Sequence, residues 1–283
     1  MNEYSLINNL FCDVKDLFKS DAQIIDVAGQ KWGITCDSFS LEEDLFTSDN
    51  PQVLGNNLVV ATLADLIASG CKPTFYEHAL TLPKDVTPQW INGLANGIKK
   101  ALEHAGCTLI GGDMGQADKF AYTGIALGPQ QKPICRIFPQ VNQKIYVSGN
   151  LGDVNESILQ GLSTPILEQR SLPLSALAAI DTSSGFMDAV WQLHILNKDF
   201  KIEINNPPVK DMRFLFGAGG EYELVFTSAE TIKEAICIGN ITPGQGLYLN
   251  GKEIKNPPPD PRSFHALSDY IKAVEKQVYE LFG

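Results

Sequence analysis

From residue 56 to residue 83 the chain reads NNLVVATLADLIASGCKPTFYEHALTLP. Between Asn56 and Ser69 apolar and small side chains fill almost every position. No polar stripe at helical spacing is left to face water, which predicts a helix buried on most of its sides. One carboxylate, Asp65, interrupts it. A carboxylate among apolar neighbours needs a partner, and a Mg²⁺ ion, an arginine or a capped backbone would each serve. His78 to Leu82 then reads as a strand.

Working outward, Thr87-Pro88 predicts a helix opening with Pro at its first position and running to about His104. Cys107 to Ile110 is expected as a strand ending in a Gly111-Gly112-Asp113 turn, and Tyr122 to Leu127 as another strand. Upstream, Tyr4 to Phe18 has apolar positions at helical spacing. Ile24 to Val27 and Trp32 to Cys36 read as strands meeting near Ala28-Gly29-Gln30. Downstream, strands are expected at Lys144–Val147, Ala178–Thr182, Glu223–Phe226 and Gly246–Leu249. Helices are expected at Phe186–Leu196 and Ser268–Phe282, the latter after the rigid PPPDP of residues 257–261. The alternation predicts a mixed α/β (α+β) chain, divided into residues 1–135 and 136–283.

The composition narrows function. The chain has 283 residues and a formal net charge of −11. Such a surface repels phosphate backbones, which argues against nucleic acid as partner. A nucleotide can still bind where divalent metal on clustered aspartates neutralises its phosphates. Six scattered cysteines with no CxxC pair give no disulfide framework or zinc knuckle, and are expected as mostly buried thiols. The N-terminus lacks the pattern of a signal peptide, and no apolar run of membrane-spanning length occurs, so a cytoplasmic protein is expected.

Several aspartates sit beside glycine or hydroxyl residues at expected strand ends or on the buried helix: Asp26, Asp37, Asp65 and Asp113. Glycines at 111 and 112 would let phosphate or metal approach the main chain. SGNLGD at 148–153, with Gly149 and Asp153, follows a strand and could form a nest of N–H groups facing an anion. P-loop and GxGxxG patterns are absent. His78, His104, His194 and His265 have no metal-ligand spacing, and Ser184 lies in no GxSxG elbow.

The order of these pieces resembles the thiamine-monophosphate kinase family of the aminoimidazole-ribotide synthetase-like (PurM-like) superfamily. The run of residues 56–83 is followed by WINGLANGIKKALEHAGCTLIGGDM (90–114) and AYTGIALG (121–128). TCDSFSLEEDLF (35–46) resembles STDxxVEGxHF, and KIYVSGNLGD (144–153) resembles iyVTGxLGD. AAIDTSSGFMDAVWQL (178–193) resembles DxSDGLxxDL, AGGEYELVFT (218–227) resembles GGEDYELLF, and IGNITPGQGLYLNG (238–251) resembles iGxItxGxGvxl.

The resemblance implies a two-domain PurM-like fold, with an N-terminal ATP-binding and dimerisation domain that forms a β-barrel across a homodimer. It implies ATP- and Mg²⁺-dependent phosphoryl transfer to thiamine monophosphate. Asp26, Asp37, Asp65, Asp113 and Asp181 would be metal ligands. Ser183 would sit with Asp181 at the catalytic centre, while Gly111, Gly112, Asp113, Gly149 and Asp153 would line the nucleotide. A related enzyme with another small acceptor, or a catalytically weakened nucleotide-binding homologue, stays open. This sequence departs from the family pattern at several points. GDDAA reads as IIDVA, leaving Asp26. Ser184 stands at the SDG aspartate, GGEYEL is one acidic residue short, Asp44 stands at the HF histidine position, and the arginine-containing PRxxxG segment is not recognisable. A hydroxyl at 184 brings no charge to a metal, so one Mg²⁺ is expected to bind weakly or not at all.

Overall fold

The computed structural model describes residues 18–40, 46–47, 49–138 and 140–283. The helix expected at Tyr4–Phe18 and the position of Asp44 lie outside the described residues, apart from Phe18 in a turn.

Two sheets organise the chain. The first contains β1 (Gln23–Val27), β2 (Gln30–Ser40), β3 (Phe75–Leu82), β4 (Thr108–Gln116) and β5 (Ala121–Pro129), in the order β1-β2-β5-β3-β4. Helix α1 (Pro51–Ala68) precedes β3, and helix α2 (Pro88–Ala105) connects β3 to its parallel neighbour β4. The second sheet contains β6 (Gln143–Val147), β7 (Ala178–Asp181), β8 (Phe200–Ile204), β9 (Leu224–Ser228), β10 (Ile236–Pro243), β11 (Gly246–Leu249) and β12 (Lys252–Glu253). Its order is β12-β11-β8-β10-β6-β9-β7. Helices α3 (Asp153–Gln160), α4 (Phe186–Leu196), α5 (Met212–Leu215) and α6 (Leu267–Phe282) accompany it. The architecture is mixed α/β, as the alternation in the sequence requires. Among the described residues no helix is long and apolar enough to cross a membrane.

Helix α1 starts as its sequence dictates: Asn50 caps it, accepting from the Val53 N–H at 3.3 Å, and Pro51 sits in the first turn. It then packs most extensively on α2, and also on β2 and β5 of the first sheet and on β7 of the second. Leu54, Leu58, Val59, Val60, Leu63 and Leu66 are all buried. The core they join continues into Tyr146, Ala179, Leu224 and Phe226 of the second sheet. Each such side chain is worth about 1.5–3 kcal/mol on burial. Contact with both sheets is the reason the helix has no polar stripe. Asn57, fully buried on α1, donates to the Pro165 carbonyl at 2.8 Å and accepts from the Leu167 N–H at 2.9 Å, tying the helix to the segment before β7.

Strand β4 differs from its expected form. The chain does not turn at Gly111-Gly112-Asp113 but stays extended to Gln116, paired in parallel with β3. A Cβ at Gly112 would lie 2.5 Å from the His78 carbonyl oxygen, so glycine there admits a close strand neighbour rather than a turn. Strand β4 is exposed along its whole length, and Leu109, Ile110 and Met114 face outward with Ile25, Val27 and Phe75. The cysteines also depart from expectation: Cys71 and Cys107 are buried, but Cys36 and Cys237 are exposed and Cys135 is half-buried.

Helices α1 and α2 touch backbone to backbone through Gly55 and Gly97. A Cβ on Gly97 would lie 2.1 Å from the Gln52 carbonyl oxygen. Helix propensity alone favours Gly→Ala by about 1 kcal/mol, but this collision involves main chain that cannot swing aside. Gly97→Ala is therefore expected to destabilise by about 1–3 kcal/mol. A urea midpoint at or above that of the wild type would contradict the packing described.

Candidate active site

Three carboxylates from distant parts of the sequence meet between the two sheets. Asp21 lies just before β1, Asp65 near the end of α1, and Asp181 at the end of β7. One oxygen of each lies within 4.8 Å of the others. Local bonds place each of them. Ser69, which follows α1, accepts from the Ala22 N–H and meets the Ser20 hydroxyl, both at 2.8 Å, which fixes the segment carrying Asp21. Thr35 of β2 donates its hydroxyl to Asp65 Oδ2 at 2.5 Å. Ser183 donates its hydroxyl (2.8 Å) and its N–H (3.3 Å) to Asp181 Oδ1.

Burial pushes the Asp65 carboxyl well above the usual carboxylate range. The charges of Asp181, Asp21 and Asp37 push it further, and the Thr35 hydroxyl opposes them. Asp181, only 3% exposed, is raised to about 7, first by burial and then by Asp21; Ser183 and Arg136 pull it back. Its second oxygen, Oδ2, is buried with no hydrogen-bond partner. An orphaned carboxylate oxygen beside two further carboxylates is the donor set of a hard divalent cation, which takes oxygen ligands at roughly 2.0–2.6 Å. The residues present fit Mg²⁺.

Sequence reasoning placed some of these groups and missed others. Asp65 and Asp181 meet, with Ser183 beside Asp181. Asp37 is half-buried in the middle of β2 and opposite Gly124; its charge reaches Asp65, and it lines a small recess with Phe39, Phe46, Tyr122 and Tyr222. Asp26 requires correction. It is exposed on the β1–β2 hairpin, accepting the Gly29 N–H at 2.8 Å and pairing with Lys31 at 3.2 Å. The carboxylate of that segment in the cluster is Asp21, set in Ser20-Asp21-Ala22, where small neighbours permit the tight approach to Ser69. Asp113 sits on exposed β4, with β3 and β5 between it and β2, so it does not converge with Asp37 and Asp65 as expected. Gly111 and Gly112 lie on the same strand.

The SGNLGD segment also requires correction. The N-terminus of α3 is already filled by a carboxylate of the chain: Glu221 accepts from the Val154 and Asn155 N–H groups at 3.2 Å and from Asn155 Nδ2 at 3.0 Å. Burial first, against these bonds, raises Glu221 to about 7. Asp153 faces outward to Lys210 at 3.5 Å. Gly149 is glycine because a Cβ there would lie 2.5 Å from Arg170 Nη2 and 2.6 Å from Glu223 Oε1. Arg170 grips Glu223 at 2.6–3.0 Å, and Ser148 donates to the same carboxylate. Tyr222, at φ 51, takes a left-handed conformation between Glu221 and Glu223, and each glutamate faces its own partners. Ser184 does not face the cluster as a bare hydroxyl. It donates to Asp188 Oδ2 at 2.5 Å, and Gln192 Nε2 donates to that oxygen at 2.6 Å.

The chain resembles known proteins in sequence and in fold. Residues 19–129 match the family described as AIR synthase related protein, N-terminal domain. The thiamine-monophosphate kinase of Pyrococcus horikoshii is 25% identical over 251 residues, covering 78% of this chain and 81% of that one. A solved structure titled "AaThiL complexed with AMPPCP and TMP" superposes with a TM-score of 0.77 at 20% identity, over 90% of this chain and 95% of that one. The hydrogenase maturation protein HypE of Escherichia coli superposes with a TM-score of 0.67 at 21% identity, over 92% and 99%. Residues 19–129 thus carry the AIR synthase-related N-terminal domain, and the chain as a whole has the fold of the solved structures it superposes on. In sequence the chain is thiamine-monophosphate kinase-like, at 25% identity to the Pyrococcus horikoshii enzyme.

The raised carboxyls set a pH dependence. The folded value of Asp181, about 7, lies above its unfolded value near 3.9, so folding favours the protonated form. Without divalent ions its contribution to stability is present at acid pH and is lost as pH rises from about 4 to about 7. Asp65 and Glu221 act in the same direction. The melting temperature in EDTA is expected to fall across this window, with a smaller slope in Asp181→Asn and a smaller slope when Mg²⁺ is added. A slope in Asp181→Asn equal to that of the wild type would remove Asp181 from this role.

Proposed function

We propose that this chain transfers the γ-phosphoryl group of ATP to thiamine monophosphate, forming thiamine diphosphate and ADP in a Mg²⁺-dependent reaction. The single observation behind the reading is the meeting of Asp21, Asp65 and Asp181, with an orphaned oxygen on Asp181, between two sheets of the kinase-like fold. Asp21, Asp65 and Asp181 would hold the metal. Bound there, Mg²⁺ would supply positive charge that offsets the negative charge of the transferring phosphoryl group.

The side chains of the protein then have defined tasks. Ser183 holds one oxygen of Asp181, which leaves the other for ligation. Thr35 does the same for Asp65. An oxygen of the acceptor phosphate forms the new P–O bond as the bond to ADP breaks. That phosphate is ionised near neutral pH, so no general base is required and catalysis rests on positioning and charge. Homodimerisation through the exposed apolar groups of β1, β3 and β4 belongs to the same proposal. A second reading, a nucleotide-binding homologue with weak turnover, is favoured by one observation: Ser184 brings hydroxyl rather than carboxylate, and its hydroxyl is bonded to Asp188.

The test is product formation by the full chain with ATP, thiamine monophosphate and increasing Mg²⁺. Thiamine diphosphate and ADP are expected in equal amounts, and Asp65→Asn is expected to lower kcat/KM by roughly 10²-fold or more. ATP binding without product at any Mg²⁺ concentration would select the second reading.

A further inference from the structure

Three carboxylates packed within 4.8 Å repel one another unless positive charge is near, and the chain supplies such a charge itself. Arg136, between the two sheets, donates Nη2 to Asp21 Oδ1 at 2.7 Å and Nε to Asp21 Oδ2 at 3.4 Å. The pair is enclosed, with 14% of the Arg136 side chain and 1% of the Asp21 side chain exposed. The guanidinium is held on its other edge as well: Nη1 donates to Gln192 Oε1 at 2.8 Å. Gln192 in turn donates to Asp188, the same carboxylate that receives the Ser184 hydroxyl. The backbone of Arg136 is fixed too. Its N–H donates to the Lys19 carbonyl at 2.8 Å, and its carbonyl accepts from Asn197 Nδ2 at 2.8 Å. One connected set of bonds therefore runs from position 184, where the family pattern has a carboxylate, to Asp21 in the cluster.

We propose that Arg136 is the resident counter-ion of the carboxylate cluster, a positioning residue that holds Asp21 in place and against whose charge an entering divalent ion binds. The inference rests on the reading of the cluster as a divalent site. In a buried ion pair, removing one partner leaves the other charge uncompensated. Neutralising Arg136 should therefore destabilise the metal-free protein and make the cluster a stronger cation site. Glutamine at 136 keeps a hydrogen-bond donor near Asp21 while removing the charge.

The test has two arms on the full chain. The first is a double-mutant cycle in EDTA with the wild type, Asp21→Asn, Arg136→Gln and the double variant, read by urea midpoint. Arg136→Gln is expected to lower the midpoint, and adding Asp21→Asn should recover part of that loss. If Arg136→Gln does not fold, recovery of a folded double variant is the same result. Strictly additive losses would overturn the proposal. The second arm measures Mn²⁺ binding by calorimetry. Arg136→Gln is expected to bind Mn²⁺ at least about tenfold more tightly than the wild type, since a neighbouring charge shifts an ionic equilibrium by one to three decades. Arg136→Lys, which keeps the charge, should stay near the wild type. Equal or weaker binding in Arg136→Gln would also overturn the proposal. Absence of Mn²⁺ binding in every variant would refute the divalent site, while the metal-free cycle would still decide the role of Arg136.

Discussion

The structure depends on the burial of helix α1 between two sheets. A helix with water on one side can carry its polar residues there. Helix α1 cannot over most of its surface, because α2, β2, β5 and β7 all pack on it. Each polar group on its buried faces must therefore be matched by a protein partner. Asn57 is matched by the Pro165 carbonyl and the Leu167 N–H, and Thr62 donates back to the Leu58 carbonyl at 2.9 Å. Asp65 is the exception: its threonine partner satisfies one oxygen, and its nearest charged neighbours are carboxylates. The same burial that stabilises the helix raises the free energy of its one charge, which either a proton or a cation offsets.

The second sheet contributes to the site through the end of β7. A strand ending in Asp181-Thr182-Ser183 and turning through Gly185 into α4 brings Asp181 to the end of α1 and leaves Ser183 free to bond back to it. Thr182 joins β7 to the GGEYEL segment, since its N–H donates to the Glu223 carbonyl and its hydroxyl accepts the Glu223 N–H, both at 2.9 Å. Glu221 and Glu223, on either side of left-handed Tyr222, are used for internal structure, as the cap of α3 and the partner of Arg170. An acidic motif here thus supplies fixed counter-charges to the scaffold.

Much of this was legible because single local signals decided it. The all-round apolar pattern gave α1, Thr87-Pro88 gave the start of α2, and Phe186 to Leu196 gave α4 with both ends in place. Strands made by neighbours rather than by their own pattern were not legible. Strand β10, ICIGNITP, carries Gly, Asn and Pro and a bulge between Cys237 and Gly239. Gly239 is there because a Cβ would lie 1.9 Å from the Glu203 carbonyl oxygen, a contact no local pattern reveals. The first half of β4 is legible as a strand, but its Gly111-Gly112-Asp113 reads as a turn because paired glycines favour turns, whereas here they admit a parallel neighbour. Asp65 was legible as a charge in an apolar helix. Asp21 was not, since its only local mark is a pair of small neighbours, and Asp26 shares the same stretch. Arg136 and Arg170 lie in segments without periodicity, and their partners are distant in sequence.

The shared core also bears on how the chain is made. The side chains that cover α1 belong to residues as late as Leu224 and Phe226. The first half of the chain alone covers α1 with α2, β2 and β5 but lacks the cover that the second sheet adds. The rest of the apolar surface of α1 stays uncovered until β7 and β9 have emerged and paired. The two sheets therefore share part of one core. A truncated chain that stops before β9 leaves part of the apolar surface of α1 exposed, which favours aggregation.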